Sequence, residues 1–155
     1  MAKEVMRRSA TDNAYLHQDF HGALSAGIEF LHRQYGEEAV RDYLRQFART
    51  FYAPLTQALR ERGLEALREH FQRIYDLEGA ACRITCSADE LTLEVDACPA
   101  VTHMRAQGYP VARLFVETTR TVNEAICEGT PFAAELVAYD EETGRSIQRF
   151  YRRAR

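Results

Sequence analysis

The chain changes hydrophobic period near residue 80, and that switch limits its fold more than any other feature. Before it, apolar side chains recur every three to four positions, the signature of helices. After Gly79, Cys82, Ile84 and Cys86 alternate with Arg83 and Thr85, and Leu91, Leu93 and Val95 alternate with Thr92, Glu94 and Asp96. With the turn Ser87–Glu90 between them, these runs predict a β-hairpin with one buried face.

Three helices are expected ahead of the hairpin. Asp12 is placed to cap the first, which runs to about Gln34 and carries Leu16, Phe20, Leu24, Ile28 and Leu31 on one side. His17 falls in the middle of that apolar stripe and His21 at its edge, one turn on. Residues 1–11 are expected to precede the fold as a flexible tail. The second helix spans about Glu37 to Arg62, with a kink near Phe51 imposed by Pro54. The third runs from Leu64 to Glu78 on the stripe Leu67, Phe71, Ile74 and Tyr75. His32 and His70 read as surface residues beside polar faces.

Beyond the hairpin, a short helix from Pro99 to about Gln107 is followed by the break Gly108–Tyr109–Pro110 and a helix from about Val111 to Cys127. A second hairpin, Ala133 to Tyr139 and Ser146 to Arg152, closes the chain. The order ααα-ββ-αα-ββ predicts an α+β fold: a four-stranded, mostly antiparallel sheet with helices packed on one face.

At 155 residues the chain is expected to form a single domain. Twenty basic and 23 acidic side chains leave a net charge of −3, which supplies no general pull toward nucleic acid or membrane. Five arginines between Arg145 and Arg155 read as guards of an edge strand rather than an RNA-binding tail. No apolar run suits a membrane span or secretion signal, so a cytoplasmic location with reduced thiols is expected. The four cysteines then read as core packing, metal ligation or reactivity.

Cys98 is the leading candidate for chemistry. It directly follows the first hairpin and precedes Pro99, which places it at the N-cap of the next helix with proline at the first helical position. Amides and the helix dipole at that position favour a thiolate, the form a nucleophile or metal ligand needs. The plainer reading is a small side chain filling a slot. Thr102, one turn beyond, faces Cys98's side better than His103 does. Cys98, Cys127, His17 and His21 could together make a tetrahedral zinc site, although no CxxC spacing marks one. The i, i+4 spacing of His17 and His21 also suits a shared substrate.

The segments Asp19–Leu24 (DFHGAL), Tyr35–Ala39 (YGEEA), Asp96–Ala100 (DACPA) and Ile126–Phe132 (ICEGTPF) resemble the L-2-amino-thiazoline-4-carboxylic acid hydrolase family. The likeness extends from about Ala14 to Tyr139. Such proteins are similar in layout to small ligand-binding domains of the 4-vinyl reductase type.

The resemblance implies hydrolytic opening of a small cyclic C=N compound. Cys98 would attack the ring carbon between nitrogen and sulfur, and His21 or His103 would protonate the departing group and then activate water. Amides opening the next helix would steady the intermediate. Arg105 or Arg113 would pair with a substrate carboxylate, and His17, Thr102, Tyr109 and Cys127 would complete the substrate contacts. A metal-bound water could replace the thiolate, with zinc as the cofactor held by Cys98, Cys127 and the histidines. Against the enzyme stands a non-catalytic sensor or carrier of a small molecule. A homodimer packed through the aromatic-rich second helix is a further alternative.

Overall fold

The computed structural model describes residues 18–154, so His17, Asp12 as a cap and the expected tail over residues 1–11 lie outside the described residues. Four helices come first: α1 (Asp19–Tyr35), α2 (Glu37–Phe51), α3 (Ala53–Arg62) and α4 (Leu64–Glu78). Strands β1 (Cys82–Cys86) and β2 (Glu90–Val95) follow, then α5 (Pro99–Ala106) and α6 (Glu117–Cys127), and finally β3 (Phe132–Tyr139) and β4 (Ser146–Arg152). The fold is α+β, with one wholly antiparallel sheet in the order β1-β2-β4-β3.

Two expected helices are shorter than their apolar patterns suggest. The second breaks in two at Tyr52, whose φ of −95° and ψ of 13° leave the α-helical region. Pro54 lies in the first turn of α3, where a missing amide proton costs nothing, so the proline starts a helix instead of bending one. The stretch after Pro110 is extended at Ala112, makes a 3-10 turn over Arg113–Val116, and becomes α-helical only at Glu117. The cause is Ser25 on α1. Its buried hydroxyl donates to the Pro110 carbonyl at 3.1 Å and accepts from the Ala112 amide at 2.8 Å, which holds that backbone away from a helical path.

The sheet follows its period-2 pattern. Leu91, Leu93 and Val95 of β2 are fully buried, and β4 turns Ser146, Gln148 and Phe150 to the same side. Leu93 pairs with Ile84 on one flank and Gln148 on the other. These inward residues join Leu44, Leu67, Met104 and Ile126 from the helices in one core. Each fully buried large aliphatic or aromatic side chain contributes about 1.5–3 kcal/mol by leaving water.

The arginine-rich final strand is central, not an edge. Arg149 serves the solvent face, where it bonds Glu90 at 2.7 Å, and Arg152, at the exposed end of the strand, bonds Asp89 at 2.6 Å. The true edges are β1 and β3, and β3 carries a register shift between Leu136 and Ala138. Such irregularity discourages pairing with another chain. Among the described residues no helix is long and apolar enough to cross a membrane.

Candidate functional site: an uncharged cavity

Between the helices and β4 lies a cavity of about 350 Å³. The size falls within the range of about 300–1,000 Å³ usual for small-molecule sites. Cys98 and His21 both line it. Phe20 and Phe51 also line it and are 40% and 54% exposed, so they form its rim. Among the described residues, no Asp, Glu, Lys or Arg enters this lining, in a chain that is 28% charged.

One wall is a run of rings. Phe47 stacks on Phe51 with centroids 5.2 Å apart, and Tyr52 meets both edge-on. Tyr52 then meets His70 at 5.8 Å and 89°, His70 meets Phe71 at 5.4 Å, and Phe71 reaches the buried Phe150 at 5.5 Å. His70 is therefore part of the cavity wall and not a surface residue. Burial, with the nearby charge of Arg73, lowers its pKa. The helical spacing carried the signal, because His70 lies three residues after Leu67 and four before Ile74 on α4.

The polar side of the lining comes from α6 and β4. Asn123 and Gln148 are 8% and 4% exposed, and the Asn123 amide donates to Gln148 Oε1 at 2.7 Å. Gln148 in turn donates to Ser146 Oγ at 3.0 Å, and Tyr75 interacts with the same amide. Sequence reasoning passed over this pair. The signal for Gln148 was its parity, since it alternates in step with Ser146 and Phe150 on the inward face of β4.

Cys98 occupies the N-cap of α5 with extended φ and ψ of −71° and 123°, followed by Pro99. Its acidity nevertheless moves opposite to expectation. Burial raises the thiol pKa, against the amides of Val101 and Ala100 that lower it, and the charge of Glu78 adds to the rise. Desolvation outweighs the helix end, so the thiol stays protonated near neutral pH. His21 is also held neutral, by burial first and by the charge of His103 second. Its Nε2 is buried without a hydrogen bond and lies 3.6 Å from Glu78 Oε1. Burial raises the Glu78 pKa in turn, opposed by the charge of His103.

The other expected site residues lie elsewhere. His103 and Thr102 border a separate depression beside Glu78, and His103 Nε2 is 3.2 Å from Asp19 Oδ1. Thr102 is exposed because residues 99–102 wind it away from the cavity as α5 begins. Arg105 is committed to the β3–β4 turn, where it donates to the carbonyls of Glu142 and Glu141 at 3.0 and 3.3 Å. Arg113 donates to Glu37 Oε1 at 2.5 Å, on the opposite side of α1. Tyr109 and Arg113 border a larger groove of about 1,000 Å³, lined mostly by exposed residues including Asp19 and Arg33. Cys127 is fully buried outside the cavity, and burial pushes its thiol up to about 12. Among the described residues no group of three or more His, Cys, Asp or Glu is arranged to hold a metal ion.

No protein-family model matches the chain, and no curated protein matches it either.

Proposed function

We propose that the protein binds a small, uncharged, largely apolar molecule in the central cavity. The single observation that carries this reading is the lining: among the described residues it holds aromatic and aliphatic side chains, a few neutral polar groups and no ionised residue. An ionised ligand there would lose its hydration without a counter-charge, which costs several kcal/mol or more. The test compares toluene with benzoate by calorimetry, in the wild type and in Val122→Phe. Val122 is buried and lines the cavity, so the larger ring fills the space. Toluene should bind, benzoate should not, and Val122→Phe should abolish toluene binding. Equal binding of benzoate, or indifference to the substitution, would sink the reading.

A second reading, hydrolysis, is favoured by Cys98 and His21 sharing the cavity with Glu78 behind the imidazole. With the thiol protonated, His21 in its neutral form would take the Cys98 proton as sulfur attacks a C=N carbon. The resemblance to thiazoline hydrolases points to such a ring. Among the described residues, though, the lining supplies no partner for a substrate carboxylate, since Arg105 and Arg113 are engaged away from it. A cyclic amidine without a carboxylate fits better. Turnover of such compounds by wild type and its loss in Cys98→Ser would move this reading ahead of simple binding.

A further inference from the structure

The inference rests on the cavity being a ligand site, and it concerns which neutral molecules that site selects. The lining is asymmetric in chemistry. Tyr52, His70 and Phe71 give it a wall of rings, against which flat molecules make more contact than branched ones. Among the described residues, the amides in the lining are those of Asn123 and Gln148.

These two amides are used to different extents. Gln148 accepts from Asn123, donates to Ser146 and interacts with Tyr75, so both ends of its side chain are engaged. Asn123 spends one N–H on Gln148, and its Oδ1 receives no hydrogen bond among the described residues. That oxygen belongs to a side chain more than nine-tenths buried, on a residue that lines the cavity. An amide oxygen that opens on the cavity with a free lone pair is completed by a ligand that donates. Its orientation is held by the Gln148–Ser146 chain behind it, so the acceptor is preorganised.

We propose that the cavity selects a flat, uncharged ring compound carrying one N–H or O–H donor, with its ring against the Tyr52–His70–Phe71 wall and its donor on Asn123 Oδ1. Neutral heteroaromatic amines and phenols belong to this class. Saturated hydrocarbons and carboxylates do not.

The chain has no tryptophan, so the fluorescence of added indole reports its own binding above the shorter-wavelength tyrosine emission. Indole, 1-methylindole and indole-3-carboxylate are titrated into the wild-type protein, with toluene as the donor-free reference. Indole should bind at least ten-fold more tightly than 1-methylindole, which keeps the ring and loses the donor, and indole-3-carboxylate should not bind. In Asn123→Leu the preference for indole over its methyl analogue should disappear. If toluene binds and 1-methylindole equals indole in the wild type, the donor assignment is overturned and the cavity reading stands. If neither toluene nor indole binds, both fall. The wild-type comparison decides the matter even where Asn123→Leu folds poorly.

Discussion

Gly144, in the turn between β3 and β4, lies so close to Cys98 that a Cβ at position 144 would overlap the cysteine's own Cβ. The turn is fastened there twice more. The Cys98 amide donates to the Thr143 carbonyl at 3.0 Å, and Arg105 holds the carbonyls of Glu141 and Glu142. The closing hairpin is thus latched onto the first turn of α5, which fixes where the Cys98 thiol meets the cavity.

Gly144→Ala should therefore be costly. Its φ of +68° strains any side chain, and the added methyl collides with Cys98 and Val101. Overpacking and strain together are worth about 2–4 kcal/mol, or a fall of about 5–15 °C in Tm for a chain of this size. Differential scanning calorimetry measures it, and an unchanged Tm would show that the latch is loose.

Cys98 should alkylate slowly at neutral pH. Its burial and raised pKa both lower the thiolate fraction available to iodoacetamide. Site-resolved mass spectrometry should find Cys98 modified more slowly in the native protein than in urea, with the native rate climbing only in alkaline solution. Rapid, selective modification at pH 7 would instead mark an activated nucleophile and favour hydrolysis.

Stability should decline in alkali because of Cys127. The unfolded thiol releases its proton near pH 8.5, while the folded one holds it to about 12. The folded state binds the extra proton, so stability falls as pH rises between those values, by at most about 1.4 kcal/mol per pH unit. Urea unfolding at pH 8 to 10.5 should show this slope reduced in Cys127→Ala, whatever that variant loses at neutral pH.

His70 should act in the other direction. Its pKa is lowered on folding, so the unfolded chain takes up a proton that the folded chain refuses. Stability is then lost as pH falls below roughly 6.5 and levels off once the folded imidazole also titrates. Replacing His70 with Phe should flatten that acid slope in part, because His21 carries the same sign. An unaltered slope in the variant would place His70 in contact with water.

Much of the architecture was legible because helices and strands here obey their periods. The switch after Gly79 located both the helical layer and the first hairpin. Strand order was not legible: local alternation makes β4 a strand but says nothing of its neighbours, and only pairing with both β2 and β3 makes it central. Ser25's hold on Pro110 and Ala112 spans more than eighty residues, so a local pattern could not foresee the delayed start of α6. Cys98 and His21 were found from position and face. The thiol's acidity was misjudged because a cap position is written in the sequence and burial is not. Asn123 and Gln148 looked like ordinary polar residues until the cavity brought them together.

The absence of ionised side chains from the lining, among the described residues, has a consequence for supply. Neutral, compact ring compounds partition into oil and diffuse through lipid bilayers without a transporter. A site tuned to them would draw on a pool that equilibrates across a cell boundary, so its occupancy would follow the surroundings as readily as the cell's own synthesis.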